Sequence, residues 1–139
     1  MILLMRIERL VDTNILVYAY DSDSVFHRQA IAFLQDIDIE LFITSKNISE
    51  FFAALTKQGE PFSKIFLFYT DIIYNSTTLF PNQESLDILE NLLQKYQPRG
   101  NRVFDIEIVS IALANGINTI ATINEKDFKA ITEISLHQF

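Results

Sequence analysis

Hydrophobic and polar positions along the chain fall into short apolar runs separated by longer segments of helical periodicity. The apolar runs are typical of buried strands and lie at residues 6–11, 41–44, 76–80 and 117–121. Between them, apolar side chains recur every three or four residues, a spacing that predicts amphipathic helices. The predicted helices span residues 14–20, 26–35, 44–58, 62–74, 82–97 and 104–115. A polar loop at 122–128, a short helix and a small strand at 133–136 complete the pattern.

This alternation of strands and helices predicts the α/β class. We expect three layers, in which helices flank both faces of a mainly parallel central sheet of four to five strands. The length of 139 residues is enough for a single domain, 1–139, to bury a core without disulfides or a structural metal.

Two of the predicted helices carry more apolar surface than one core contact needs. In the helix at 44–58, Ala53 and Ala54 extend the apolar face nearly all the way round, which predicts a well-buried helix. The helix at 62–74 has an apolar stripe with further apolar side chains beside it. Two interpretations stay open for this second helix, namely complete burial and a surface that binds a partner.

The composition narrows the chemistry that is available to the protein. The chain has no cysteine and two histidines, His27 and His137. These counts exclude a disulfide framework, a cysteine nucleophile and a zinc site built from thiolates or several imidazoles. Any bound metal must have oxygen ligands, which favours magnesium or manganese. The three glycines stand apart in the sequence, so a Gly-rich phosphate-binding loop is excluded as well.

The charge and the apolar runs bear on partners and location. A net charge of −7 argues against a passive nucleic-acid binder but is compatible with an enzyme whose acidic cluster binds cations. The apolar opening at residues 1–5 is interrupted by Arg6 and Glu8, well short of a signal-peptide core. No run approaches the roughly 20 apolar residues of a membrane span, so we expect a cytoplasmic protein with no membrane association.

Acidic residues recur where the predicted strands and helices meet. Asp12 follows the first strand, Glu50 opens the helix after the second, and Asp105 opens the helix before the fourth. A polar cluster at 124–127 follows that fourth strand. Because the carboxyl ends of parallel strands share one edge of a sheet, these groups are expected to converge in one cleft. Clustered carboxylates repel one another unless cations compensate, so the pattern predicts a divalent metal site.

Simpler interpretations exist for two of these acids. An Asp before a helix is commonly an N-cap, which is an equally good account of Asp12 taken alone. A helical wheel places Glu50 opposite the large apolar side chains of its helix, which favours an exposed position.

The sequence resembles the PIN-domain family, particularly the VapC toxin ribonucleases of bacterial toxin–antitoxin pairs. Four stretches in the family's order carry the resemblance over nearly the whole chain: residues 11–16, 44–51, 102–117 and 122–128. The resemblance implies a three-layer PIN-like fold and a Mg²⁺- or Mn²⁺-dependent endoribonuclease that hydrolyses RNA phosphodiester bonds. It also implies a small antitoxin protein as a partner and a homodimer.

The resemblance also assigns roles to individual residues. Asp12, Glu50 and Asp105 match the family's three principal acidic positions and are expected to bind the metal and act in catalysis. At the fourth position many relatives have Asp where Asn124 stands, whereas others have Asn there and a following Asp-Phe. Either Asn124 as a neutral metal ligand or Asp127 as a fourth acid therefore completes the site.

Further residues near these motifs are expected to support the site. Hydrogen-bonding side chains that hold the acids or line the cleft are Thr13, Asn14, Thr44, Ser45 and Thr122. Cationic side chains that lie near the cleft in sequence, and either hold RNA phosphates or merely solubilise the protein, are Lys46, Arg99, Arg102 and Lys126. Glu107 is expected on the protein surface, because it lies two residues beyond Asp105 on another helical face.

Two other functions compete with this interpretation. One is a catalytically inactive PIN-like module that binds another protein, an alternative that Asn124 leaves open. The other is a haloacid-dehalogenase-like phosphatase, which also uses an Asp after its first strand. Such a phosphatase needs a second Asp two positions later, where this chain has Asn14.

Overall fold

A computed structural model describes residues 5–139 of the protein, and the apolar opening at residues 1–4 lies outside the described part. Five parallel strands form one sheet in the order β3-β2-β1-β4-β5. The strands are β1 (Ile7–Val11), β2 (Ile39–Thr44), β3 (Thr77–Leu79), β4 (Thr119–Ala121) and β5 (Ser135–Leu136). The expectation of a mainly parallel sheet of four to five strands is confirmed.

Helices connect the strands and cover both faces of the sheet. They are α1 (Thr13–Tyr20), α2 (His27–Leu34), α3 (Ser45–Lys57), α4 (Phe62–Tyr74), α5 (Gln83–Tyr96) and α6 (Arg102–Ala114). A single 3₁₀ turn, Glu125–Asp127, forms in the loop that follows β4. The three-layer α/β architecture predicted from the sequence is therefore confirmed.

Successive residues of each central strand belong to two different hydrophobic clusters, because side chains alternate between the faces of a sheet. Leu10 and Phe42 pack with α5 and α6 in one cluster, and Val11 and Ile43 pack with helices α1 to α4 in the other. Burial on both faces explains why the central strands are continuously apolar in sequence instead of alternating with polar residues.

Strand β1 lies at the centre of the sheet, where the strand order reverses. The chain continues from β1 to β2 and β3 on one side and then crosses to β4 and β5 on the other. In open α/β sheets, ligands bind beyond the carboxyl ends of the strands at this kind of switch point. Asp12 follows β1 directly, and its backbone N–H donates to the Ala121 carbonyl of β4 at 2.9 Å.

Several elements differ from the sequence-based prediction, among them β2, α6 and the segment before β5. Strand β2 begins at Ile39, because its first residues pair with β1, and this places Glu40 inside the strand. Helix α6 begins at Arg102 instead of 104, since the preceding turn runs into it without a break. The short helix expected before the last strand is replaced in the described chain by turns and the 3₁₀ turn within the polar loop.

The two helices with excess apolar surface are more exposed than expected. Helix α3 buries only Asn47, Phe51 and Leu55, so the prediction of a well-buried helix is wrong, and Ala53 is exposed. Ile65 is the one buried residue of α4. Aromatic side chains of α4 instead contact Phe52 of α3, with ring centroids 5.3–6.0 Å apart. Of the two interpretations of α4, complete burial is excluded.

No helix within residues 5–139 is both long enough and apolar enough to span a membrane.

Because α4 reaches the core chiefly through Ile65, we expect Ile65→Ala to lower the free energy of unfolding by about 2–5 kcal/mol. The matched change Leu67→Ala, at a side chain that is 74% exposed in the same helix, should alter it by less than about 0.5 kcal/mol. Urea denaturation of both variants measures the difference. Equal losses in the two variants would contradict this account of how α4 is held.

Candidate active site

Asp12 lies where β1 passes into α1 and is the N-cap of that helix. Its Oδ1 accepts the backbone N–H of Thr13 at 2.8 Å, and its Oδ2 accepts the hydroxyl of Thr122 at 2.8 Å. The side chain is almost fully enclosed, with 8% of the residue exposed. Asp12 is thus a helix cap and also a buried carboxylate at the switch point of the sheet, so the two interpretations of this residue do not exclude each other.

Thr122 is held so that its single hydroxyl hydrogen points at Asp12. The Thr122 Oγ1 accepts a hydrogen bond from Asn14 Nδ2 at 3.3 Å and another from the backbone N–H of Asn124 at 3.0 Å. Because both neighbours donate, the hydroxyl has to donate in the remaining direction, to Asp12 Oδ2. Asn14 and Thr122 therefore support Asp12 together.

Glu50 lies in the first turns of α3 and faces α1. The Thr13 hydroxyl donates to Glu50 Oε1 at 3.0 Å. The neighbouring residue of α1, Asn14, supports a different acid, because it acts on Asp12 through Thr122. Glu50 is half-buried, which differs from the exposed position that the helical wheel favoured. The wheel accounts only for the apolar residues of α3 and not for the neighbouring α1, which covers this side of the helix.

Asn47 is a buried polar residue whose link to the site was not foreseen from the sequence. Its side-chain Nδ2 donates to Thr13 Oγ1 at 2.9 Å, and its Oδ1 accepts from the backbone N–H and the hydroxyl of Thr44, both at 2.8 Å. The signal available in the sequence was the capping-box spacing of Thr44 and Asn47. That spacing identifies a helix start but not the onward bond to Thr13.

An open pocket of about 620 Å³ lies beside these residues. Polar, charged and aromatic residues along its wall include Asn14, Lys46, Glu50, Phe104, Asp105 and Asp127. Asp12 does not line the wall itself but lies directly behind it, bonded to Thr13. The structure thus brings three of the four acidic side chains to one pocket and places the fourth at its back.

Burial and mutual repulsion make the acids of this cluster hard to ionise. Burial raises the pKa of Asp12 to about 6, against the opposing hydrogen bonds from Thr122 and Thr13 and with a further rise from the charges of Glu50 and Asp127. Burial also raises the pKa of Asp105 to about 7, and the nearby carboxylates of Asp12, Asp127 and Glu50 raise it further.

Glu50 is affected in the same direction. Burial raises its pKa, the Thr13 hydrogen bond and the Lys46 charge lower it, and the charge of Glu107 raises it. Glu107 is half-buried instead of lying on the open surface as expected, because α6 places it in a small cleft beside the start of α5, with Asn82 and Ser85. It therefore belongs to the electrostatic surroundings of the site.

The two candidates for the fourth position of the site, Asp127 and Asn124, are placed differently. Asp127 is half-buried, lines the pocket, and raises the pKa of both Asp12 and Asp105. Asn124 has an exposed side chain and reaches the site through its backbone N–H, which donates to Thr122.

The cationic residues are not gathered equally around the pocket. Lys46 lines the pocket, with its Nζ 3.9 Å from the centroid of the Phe104 ring. Arg102 Nη2 lies 3.9 Å from Asp127 Oδ1, at the edge of the acidic cluster. Arg99 and Lys126 are exposed and do not line the pocket, and Ser45 does not line it either.

The donor set of the site consists of oxygen atoms. Beyond the carboxylates, Asn14 Oδ1 is buried and has no hydrogen-bond partner within residues 5–139. An unpartnered amide oxygen beside carboxylates with raised pKa values fits the ligand chemistry of Mg²⁺ or Mn²⁺. In the described residues no three acidic or histidine side chains converge on one point, so the fit concerns the chemistry of the donors and not a finished coordination shell.

Solved structures with this fold include toxin–antitoxin proteins. One of them is VapBC2 from Rickettsia felis, which was solved with a bound fragment of promoter DNA. It matches with a TM-score of 0.73 and 20% identity over 96% of this chain and 99% of that one. DNA-bound VapBC from Salmonella typhimurium matches with a TM-score of 0.70 and 18% identity over 96% and 98% of the two chains.

A third similar structure is VapC20 from Mycobacterium tuberculosis, described as a sarcin-ricin loop cleaving toxin. It matches with a TM-score of 0.71 and 11% identity over 91% of this chain and 98% of that one. Such low identities show a shared fold alone. No curated protein matches the chain significantly in sequence.

Membership of a family is decided by the sequence as a whole. A family model described as the PIN domain matches residues 9–134, a range that contains the end of the central strand, all four acidic positions and the loop that follows β4. The resemblance seen in the four motifs is thereby confirmed, and the chain belongs to the PIN-domain family.

Proposed function

We propose that the protein is a Mg²⁺- or Mn²⁺-dependent endoribonuclease and the toxin of a type II toxin–antitoxin pair. The observation that carries the proposal is the group of four acidic residues at the switch point of the sheet, of which Asp12 and Asp105 have strongly raised pKa values. A cluster that resists ionisation in this way is compensated by a bound divalent cation. Membership of the PIN-domain family supports the same chemistry.

In this proposal the chain's own residues hold the cation and the substrate. Asp12, Glu50 and Asp105 bind the ion, and the hydroxyls of Thr122 and Thr13 fix the orientation of two of these carboxylates. When held by these residues, a divalent cation would supply Lewis-acid chemistry, which is a lowered pKa for bound water and compensation of the negative charge on the phosphate. The pocket is open to the surface, so that a substrate can reach these groups from outside.

For the fourth position of the site we favour Asp127 over Asn124. Asp127 lines the pocket and interacts through its charge with Asp12 and Asp105, whereas the Asn124 side chain is exposed. The contribution assigned to Asn124 is its backbone N–H, which helps to direct the Thr122 hydroxyl at Asp12. A change of its side chain should then matter little.

Among the cationic residues, Lys46 and Arg102 are the ones we assign to RNA phosphates. Lys46 lies on the pocket wall, and Arg102 lies beside Asp127 at its edge. Both offset an otherwise acidic surface where the polyanionic substrate approaches. Arg99 and Lys126 lie off the pocket and are left as general surface charges.

The exposed aromatic surface of α4 supports an antitoxin partner. Phe62 is 61% exposed and Phe66 is 47% exposed, and they form one apolar patch with Phe52 of α3. Leu67, which is 74% exposed, is a further apolar side chain of the same helix. A contiguous exposed patch of this kind is typical of a protein-binding surface. Two of the solved structures with the same fold are VapBC proteins. The homodimer implied by the family stays a prediction.

We expect Asp12→Asn and Asp105→Asn each to lower Mg²⁺- or Mn²⁺-dependent RNA cleavage at least about 100-fold, because losing even a supporting partner of a ligand costs about 10–100-fold. The measurement is cleavage of a total RNA preparation with and without EDTA. Asp38→Asn, the same change at an exposed acid away from the pocket, is the control and should cleave normally. Normal cleavage by both site variants would refute the proposed site.

The same assay tests whether Asp127 or Asn124 occupies the fourth position of the site. Asp127→Asn should lower cleavage strongly, whereas Asn124→Ala should lower it by a few-fold at most because the backbone donor remains. The reverse ranking would make Asn124 the ligand.

The raised pKa values predict how the metal-free protein responds to pH. Between about pH 4 and pH 7 the folded state retains protons on Asp12 and Asp105 that the unfolded chain, with ordinary values near 3.8, has released. Stability from these groups is therefore complete below about pH 4 and is lost as the pH rises through their folded pKa values of about 6 and 7.

Urea denaturation in EDTA from pH 4 to pH 8 measures this effect. Asp105→Asn should be less sensitive to pH than the wild type, and Mn²⁺ at pH 8 should stabilise the wild type more than this variant. A wild-type protein with the same pH response as the variant would contradict the assigned pKa shift.

We expect the chain to form a complex with the product of a small neighbouring open reading frame when the two are co-expressed. Replacing Phe66 and Leu67 together by serine should abolish the complex, because both are exposed apolar side chains of α4. Ile37→Ser, at an equally apolar side chain that is 83% exposed elsewhere, is the control. Repeated failure to recover a complex by pull-down, or equal recovery with the double variant, would count against this surface.

A further inference from the structure

We infer that Asn47 is a positioning residue for Glu50 and that it acts through the hydroxyl of Thr13. This inference rests on the proposed function, in which Glu50 binds the metal. Asn47 itself does not line the pocket and is completely buried, with 0% of the residue exposed. Its role therefore has to be exerted through the groups that it contacts.

The orientation of the Asn47 amide is fixed by its neighbours. The backbone N–H of Thr44 can only donate, and it lies 2.8 Å from Asn47 Oδ1, so the atom at that position has to be the oxygen. The Thr44 hydroxyl donates to the same oxygen at 2.8 Å and accepts the Asn47 backbone N–H at 3.1 Å. The amide nitrogen consequently points the other way, at Thr13 Oγ1, 2.9 Å distant.

This bond decides what the Thr13 hydroxyl can do. Its oxygen accepts from Asn47 Nδ2, and its one hydrogen is then directed at Glu50 Oε1, 3.0 Å away. A continuous chain of hydrogen bonds thus runs from the end of β2 through Asn47 and Thr13 to Glu50. The chain starts at the fully buried residues Thr44 and Asn47, and it fixes the position of one carboxylate oxygen of Glu50.

A second capping box serves as a comparison, because among the described residues its serine hydroxyl bonds only within the box and not to a neighbouring element. At the start of α5, Asn82 and Ser85 bond each other reciprocally, and the Ser85 hydroxyl ends on the Asn82 carbonyl at 2.9 Å. The short serine side chain reaches the N-cap N–H at 2.8 Å there. A serine is therefore sufficient to complete a capping box, and the extra donor of Asn47 is not needed for the cap of α3.

This comparison provides a variant that separates capping from positioning. Asn47→Ser keeps an acceptor for the Thr44 N–H but removes the donor to Thr13, whereas Asn47→Ala removes both. A purely structural Asn47 predicts normal metal binding by Asn47→Ser. A positioning Asn47 predicts weaker binding by both variants, because the Thr13 hydroxyl is no longer held towards Glu50.

We expect Asn47→Ser to bind Mn²⁺ about 10–100-fold more weakly than the wild type in calorimetry without RNA, as is usual when a partner of a metal ligand is lost. Asn82→Ser, the same exchange in the capping box of α5, should bind Mn²⁺ normally. Urea denaturation in EDTA should show that Asn47→Ser is more stable than Asn47→Ala.

A double-mutant cycle tests the route through Thr13. In a Thr13→Val background, which lacks the hydroxyl, Asn47→Ser should weaken Mn²⁺ binding by less than twofold further, because the two residues act on Glu50 as one unit. Wild-type affinity for Mn²⁺ in Asn47→Ser, or a full additional loss in the Thr13→Val background, would overturn the inference while leaving the proposed function intact. Absence of Mn²⁺ binding by the wild type would refute both.

Discussion

The contact on which the rest of the site depends is the one between Asp12 and Thr122 across the switch point of the sheet. It joins the ends of β1 and β4, two strands that are neighbours in space and separated by more than 100 residues of chain. The hydroxyl has no other direction in which to donate, since Asn14 and the Asn124 backbone occupy its acceptor side. A buried carboxylate is tolerated at this point because two donors serve it.

The site as a whole combines a rigid back with an open front. Asp12 behind the pocket and Glu50 on its wall are each bonded to a threonine hydroxyl that is itself directed by an asparagine, Asn14 in one case and Asn47 in the other. Asp105 has no such partner within residues 5–139, and its raised pKa comes from burial and the neighbouring charges. The orientation of the carboxylate is therefore fixed most precisely at Asp12 and Glu50.

Much of this could be predicted from the sequence, and the failures have physical causes. Apolar periodicity placed α4 at its observed bounds, and the strand-end acids identified the cleft, because both depend on local patterns. Glu50 was placed wrongly on a helical wheel because its surroundings come from α1. The link of Asn47 to the site was not foreseen, since its bond to Thr13 joins residues 34 positions apart. Sequence motifs left Asn124 and Asp127 equivalent, whereas the 3₁₀ turn directs only one side chain to the pocket.

The order in which the site residues occur along the chain has a consequence for synthesis. Asp12 is made before Thr122 and Asp127, which follow it by more than 100 residues. Until residues 119–122 have left the ribosome, β4 cannot pair beside β1, and Asp12 has no partner across the switch point. Under the proposed function, a nascent chain that has not yet reached β4 lacks the complete site and is harmless to the RNA that encodes it.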